Sequence, residues 1–122
     1  MRLFTEEEKR KRVKREIGRL RKLFREMPKE RQSAAEGLIQ EAAFMRVTLE
    51  EARHIIDRDG VLETFEQGEQ RFLREHPATK VYNAMIQRYS TVCKQMVDLL
   101  PDGDPKDKSS DALMEFLKKS RR

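Results

Sequence analysis

Apolar residues in the first quarter of the chain recur at alternating spacings of four and three. This period places them in a single stripe along one face of a helix. The stripe consists of Val13, Ile17, Leu20, Phe24 and Met27. Thr5 and Glu8 have the spacing of a capping box, which satisfies free backbone N–H groups at a helix start. We therefore predict a first helix that begins after Thr5 and runs to Met27, just before Pro28.

A second, longer stripe follows Pro28. It consists of Leu38, Ala42, Met45, Leu49, Ala52 and Ile56, and it is widened by Ala35, Ile39 and Ile55. The pattern predicts one helix over residues 30–59, with Gly60 as its C-terminal stop. Thr48 and Glu51 have the spacing of another capping box, which leaves a kink at this point as an alternative. We favour the uninterrupted helix.

The helical period is lost between residues 61 and 75. Two short runs of β-forming residues flank the polar tetrapeptide Glu66-Gln67-Gly68-Glu69. Because Gly68 can adopt the positive φ that a tight turn needs, we predict a short β-hairpin here. Two short strands alone bury little surface, so we expect the hairpin to lean on the helices or on a neighbouring subunit.

Pro77 suits the first turn of a third helix, because its missing N–H costs nothing there. The stripe behind it is the most regular in the chain: Tyr82, Ile86, Tyr89, Cys93, Met96 and Leu100. The prolines and glycine of residues 101–105 end this helix, and a polar linker follows. The last amphipathic segment, residues 111–119, is too short to be a stable helix alone in water, so we expect it to order on a partner.

Composition favours an assembly and locates the positive charge. Charged residues make up 40% of the 122-residue chain and hydrophobic residues 37%. This hydrophobic fraction is too high for a disordered chain but too low for a thick hydrophobic core. We therefore expect stability to be shared with other subunits. Residues 1–31 hold 13 Lys and Arg against 6 Asp and Glu, whereas residues 32–100 hold 8 against 11. A localised cationic surface suits a phosphate backbone or an anionic membrane.

The positive charge lies on the polar face of the first helix. Its members are Lys9, Arg10, Lys11, Arg12, Lys14, Arg15, Arg19, Arg21, Lys22 and Arg25. Only Glu16 and Glu26 lie in the dense part of this run, so little charge is neutralised within the helix. We predict that these ten side chains bind duplex DNA through its phosphates. The alternatives are a solvated helix face and a membrane surface, and the absence of Trp and of a lipidation signal disfavours the membrane.

No set of residues has the spacing of a catalytic or metal site. Glu50 and Glu51 are sequence neighbours that point to different sides of a helix. His54 and His76 are separated from each other and from Cys93, and the five glycines are too dispersed to form a phosphate-binding loop. We therefore expect no enzyme activity, cofactor, bound metal or small-molecule substrate. The single cysteine, Cys93, fits a small core residue in a reducing cytoplasm.

Two parts of the chain resemble a known family. The first is Ala42-Ala43-Phe44-Met45-Arg46 with the following Leu49 and Gly60. The second is His76-Pro77-Ala78, then Lys80-Val81-Tyr82-Asn83 and the run through Met96 to Leu99-Leu100-Pro101. Over roughly residues 30–101 these patterns resemble the small terminase subunits of tailed phages and prophages.

The resemblance implies a non-catalytic subunit that assembles into a ring, recognises viral DNA, and regulates a large subunit that holds the packaging ATPase and nuclease. We assign contacts between copies to Met45, Leu49, Tyr82, Ile86, Tyr89 and Met96. We assign contact with the large subunit to Leu113, Phe116 and Leu117. Many members of the family carry an N-terminal helix-turn-helix, whereas a single basic helix precedes Pro28 here. Phosphate contact is therefore the expected mode of DNA binding.

These patterns predict a mainly α protein of long amphipathic helices with one short hairpin near residues 61–75, assembling as a helical homo-oligomer. Residues 1–28 would be the basic DNA-binding helix, residues 29–101 the helical core and oligomerisation domain, and residues 102–122 the linker and partner-binding segment. The expected partners are duplex DNA, the large terminase subunit and copies of the same chain, in the cytoplasm of a bacterial host and away from the membrane. The alternative function is a basic helical adaptor that binds nucleic acid or an anionic membrane surface without a packaging role.

Overall fold

The computed structural model describes residues 3–100. Its elements are α1 (Glu6–Leu23), α2 (Lys29–Asp59), β1 (Leu62–Gln67), β2 (Gln70–Glu75) and α3 (Pro77–Asp98). The mainly helical class with one short hairpin is confirmed. Helix α2 runs without a break through Thr48, as the uninterrupted interpretation predicted. No helix within the described residues is long and apolar enough to cross a membrane.

Local chemistry explains where the helices begin and end. The Thr5 hydroxyl oxygen accepts the backbone N–H of Glu8 at 3.1 Å, which confirms the predicted N-cap. Helix α1 ends at Leu23, four residues before the predicted end, and a turn follows. His76 caps α3: its Nδ1 accepts the backbone N–H of Ala78 at 3.0 Å. The sequence pattern marked this helix start by Pro77 and did not indicate the capping role of His76, which Ser, Thr, Asp and Asn perform more often.

Glycine permits the two sharpest changes of chain direction. Gly60 ends α2 with φ of +87° and Gly68 opens the hairpin loop with φ of +61°. A positive φ at the first of two loop residues, and not at the second, is the pattern of a type II′ turn. The predicted helix stop and the predicted hairpin turn are both confirmed.

All three helices contribute to one hydrophobic core. Its buried members are Leu20, Phe24, Met27, Ala35, Ile39, Ala42, Ala43, Leu49, Tyr89, Cys93 and Met96. Helix α2 lies between the other two, since the largest helix contacts are those of α1 with α2 and of α2 with α3. Helix α1 therefore belongs to the same packed body as residues 29–100.

The hairpin packs chiefly on itself. Strands β1 and β2 are antiparallel, with Phe65 opposite Phe72 and Thr64 opposite Leu73. The hairpin does not contact any helix as extensively as its two strands contact each other. We expected the hairpin to lean on the helices or on a neighbouring subunit. Within the described residues, the helices of the chain do not cover it extensively.

Candidate nucleic-acid interface

Helix α1 buries one side against the body and presents a cationic side to solvent. Leu20 and Phe24 are fully covered on the buried side. The cations at positions 11, 14, 15 and 22 lie within about 100° of one another around the helix axis, on the opposite side, and Arg25 follows in the turn after α1. We call this set the outer stripe: Lys11, Lys14, Arg15, Lys22 and Arg25. All five side chains are exposed.

The outer stripe is poorly neutralised. Lys14, Arg15, Lys22 and Arg25 form no ion pair within residues 3–100. Lys11 lies 3.6 Å from Glu7, but both side chains are largely exposed, so this pair is weak. From position 11 to position 22 the stripe covers about 16 Å of helix axis, and Arg25 follows in the turn after α1, whereas duplex DNA carries one negative charge per about 1.7 Å. The spacing permits several phosphate contacts at once.

Two other predicted DNA-binding residues are turned towards aromatic rings of the body. The Lys9 ammonium lies 3.8 Å from the Glu51 carboxylate and 4.9 Å from the centre of the Phe44 ring. The Arg12 guanidinium lies 4.1 Å above the Phe4 ring. Both charges are therefore engaged within the chain: the Lys9 contact joins α1 to α2, and the Arg12 contact joins α1 to the segment that precedes it.

Two further arginines are paired with carboxylates. Arg19 donates two hydrogen bonds of 2.6 Å to Glu16, and this hydrogen bonding raises the pKa of Arg19. Arg21 donates to both carboxylate oxygens of Glu36 on α2, which lowers the pKa of Glu36. The sequence pattern offered only acids within the first helix as partners, whereas Glu36 comes from α2. Arg10, the last of the ten, lines the groove described below.

Glu51 fixes the start of α1. Its Oε2 accepts the backbone N–H of Leu3 at 3.1 Å and that of Phe4 at 2.7 Å, while its Oε1 faces Lys9. Phe4 is buried and packs edge-on against His54, with ring centres 6.5 Å apart. These contacts hold the basic helix in one position relative to the body. Nothing in the sequence pattern indicated this role of Glu51, because its partners are nearly fifty residues away.

The residues predicted to join copies lie at the contact between α2 and α3. Leu49, Tyr89 and Met96 are buried in the core of the single chain. The other three, Met45, Tyr82 and Ile86, are half-buried and pack against the same core. Their regular spacing therefore marks intrachain packing, and the three buried side chains offer almost no surface to a second copy. Leu113, Phe116 and Leu117, predicted to contact a large subunit, lie outside the described residues.

The described residues hold no group of three His, Cys, Asp or Glu side chains that could bind a metal ion. Cys93 is buried, and this burial raises the pKa of its thiol to about 11. The thiol therefore stays protonated near neutral pH and behaves as a core side chain. Its predicted place in the core is confirmed.

No protein-family model, curated protein or solved structure matches this chain.

Proposed function

We propose that this chain is a non-catalytic DNA-binding subunit of the terminase small-subunit type, which binds viral DNA, associates with copies of itself and regulates a large ATPase and nuclease subunit. The observation that carries the proposal is the outer stripe of α1, a row of exposed cations with little intrachain neutralisation. Cations in such a row bind phosphates and release the counterions condensed on DNA, which favours association.

The attachment of α1 supports this proposal. The helix is held at its start by Glu51 and near its end by the Arg21–Glu36 ion pair. A helix held in place presents its cations together, so less conformational entropy is lost when they meet a phosphate backbone. The contacts made this way read phosphates and not bases, which agrees with an interface built from one helix.

The packing of α1 favours DNA over a membrane surface. A helix that binds in a membrane interface needs an apolar face that is free to enter the lipid. Leu20 of α1 and Phe24, which directly follows the helix, are already buried against the body. The adaptor function that uses an anionic membrane is therefore the weaker candidate.

Self-association and contact with a large subunit are further parts of the proposal. Exposed apolar side chains on the hairpin, among them Leu62 and Leu73, support contact with another protein surface. The amphipathic residues 111–119 would bind the large subunit, and the complex would act in the cytoplasm of the bacterial host.

Charge reversal on the outer stripe tests DNA binding. The variant Lys11→Glu, Arg15→Glu, Lys22→Glu, Arg25→Glu leaves out Lys14, which also lines the groove described below. The matched control reverses four exposed cations of α2 and α3 that form no ion pair within the described residues: Arg53, Lys80, Arg88 and Lys94. Both variants change the net charge equally, so only the position of the change differs.

We expect the wild-type chain to bind a short duplex, and its affinity to fall on the order of 100-fold between about 50 and about 200 mM salt if about four phosphates are contacted. The outer-stripe variant should lose retention on DNA, whereas the control should keep most of it. Equal losses in both variants would show that net charge alone is responsible. Retention on anionic vesicles without DNA binding would favour the adaptor.

A further inference from the structure

The hairpin exposes apolar side chains on both of its faces. Pleating places Leu62 and Leu73 on one face and Phe65 and Phe72 on the other. Leu73 is 66% exposed and Phe72 is 48% exposed. An isolated two-stranded hairpin is marginally stable in water, so a surface of this kind gains stability when another surface covers it.

An open apolar groove lies between α1 and α2. Its volume is about 500 Å³, and its apolar lining consists of Val13, Ile17 and Phe44. The Phe44 ring is 47% exposed, although it lies beside the core. Lys9, Arg10 and Lys14 line the same groove, with Thr5 and Glu6 at the start of α1. The groove is thus apolar inside with a cationic border.

The hairpin and the groove are complementary in charge. The hairpin carries Glu63, Glu66, Glu69 and Glu75 against Arg71 and Arg74. Both arginines are paired within the hairpin, to Glu66 and Glu63. The remaining two acids, Glu69 and Glu75, form no ion pair within residues 3–100. At the groove, Arg10 and Lys14 also form no ion pair within these residues.

The two surfaces lie at different places along α2. Phe44 and Gly60, where the helix ends before the hairpin, are sixteen residues apart, which corresponds to about 24 Å of helix. Both surfaces are exposed in the single chain, so neither one covers the other within it. A second copy offers the missing partner for each.

We propose that the hairpin of one copy docks in the groove of the next copy, in a head-to-tail contact. Apolar hairpin side chains, Leu73 among them, would cover Phe44, while the free carboxylate of Glu75, on the same face of the hairpin as Leu73, would face Arg10 and Lys14. The inference rests on the self-association in the proposed function and names the surfaces that produce it. A contact between two different surfaces repeats from copy to copy, and it closes into a ring when the rotation between copies permits.

The alternative binding partner of the hairpin is the hairpin of another copy. That arrangement would bring two surfaces of the same negative sign together, whereas the groove offers the opposite sign. It would also leave Phe44 and its groove uncovered. The two arrangements make different predictions for variants of Phe44.

The test uses two single variants of the full chain, Leu73→Glu in the hairpin and Phe44→Glu in the groove. The control is Leu23→Glu on α1, which changes a comparably exposed residue, 41%, outside both surfaces. A second groove variant, Arg10→Glu with Lys14→Glu, leaves every apolar side chain in place. Circular dichroism checks the helical fold, and light scattering measures the mass of each variant and of an equal mixture of Leu73→Glu and Phe44→Glu.

We expect the wild type and Leu23→Glu to form assemblies of the same mass, and the hairpin and groove variants to fall to the monomer mass. The mixture should recover a dimer, because one copy keeps an intact groove and the other an intact hairpin. The inference is overturned if Phe44→Glu or the double groove variant assembles like the wild type, if Leu23→Glu also becomes monomeric, or if the mixture stays monomeric.

These outcomes separate the inference from the proposed function. An assembly that survives Phe44→Glu contradicts the groove contact but leaves self-association and DNA binding standing. A wild-type chain that is monomeric at high concentration removes the self-association on which both rest. DNA binding is tested independently, because neither single variant changes the outer stripe.

Discussion

Arg21 on α1 donates to both carboxylate oxygens of Glu36 on α2, whereas the neighbouring Lys22 forms no ion pair within the described residues. Of these two adjacent cations, one is therefore neutralised by a carboxylate and the other is not. The difference arises because consecutive helix residues point about 100° apart, so only one of the two side chains faces α2.

This difference predicts unequal effects on DNA binding. Lys22→Gln should weaken binding and reduce the slope of log affinity against log salt by about 1, because one phosphate contact is lost. Arg21→Gln changes the net charge equally but should change the slope less, since Arg21 is engaged with Glu36. Filter binding at several salt concentrations measures both slopes. Equal reductions in slope would show that the ion pair does not keep Arg21 from the phosphates.

Phe24 and Leu23 are sequence neighbours that differ in burial, so their variants form a matched pair for testing the packing of the core. Phe24 is among the largest fully buried side chains, whereas Leu23 beside it is exposed. Phe24→Ala should lower the free energy of unfolding by about 3–5 kcal/mol, through lost transfer energy and the cavity left behind. Leu23→Ala should change it by less than about 0.5 kcal/mol. Urea unfolding followed by circular dichroism compares them, and a small effect of Phe24→Ala would contradict the packing of α1 on the body.

Asp59 should give the fold a dependence on acid pH. A hydrogen bond from Arg58, with a smaller contribution from His76, lowers the pKa of Asp59 from 3.8 to about 2. Because the folded protein favours the charged carboxylate, this stabilisation is present above pH 3.8 and is lost as the pH falls through about 2. Asp59→Asn should lower the melting temperature at neutral pH, and the difference from wild type should shrink towards pH 2.

Asp57 provides the control for that experiment. It is exposed and forms no ion pair within residues 3–100, so Asp57→Asn should leave the melting temperature nearly unchanged over the same pH range. A constant difference between wild type and Asp59→Asn down to pH 2 would mean that the charge of Asp59 is not the source of the stabilisation.

Gly37 within α2 and Gly60 at its C-cap should respond in opposite ways to substitution by alanine. Gly37 lies inside α2, and a Cβ atom there would meet nothing within 4 Å. Gly37→Ala should therefore stabilise the fold by up to about 1 kcal/mol through better helix propensity. Gly60 has φ of +87° and ψ of 168°, a region open essentially to glycine alone, so Gly60→Ala should destabilise it by about 1–3 kcal/mol. Chemical denaturation measures the change in the free energy of unfolding for both variants, and so the sign of each change.

The sequence was sufficient wherever a property depends on neighbours along the chain. The period of apolar residues determined the number of helices, Thr5 and Gly60 marked two of their ends, and Gly68 located the hairpin turn. These features arise from local backbone geometry and from contacts within a few residues, which the order of residues fully specifies. The concentration of cations on one helix could be predicted for the same reason.

Only the tertiary structure decided which of those cations remain available to a partner and which apolar stripes are already occupied. Glu36 and Glu51 neutralise Arg21 and Lys9 from another helix, and Leu49 turns inward where an interface between copies was predicted. Pairing across large sequence separations depends on how the helices pack. A repeating apolar pattern indicates that a side chain will be buried. It does not indicate whether the surface that covers this side chain belongs to the same chain or to another.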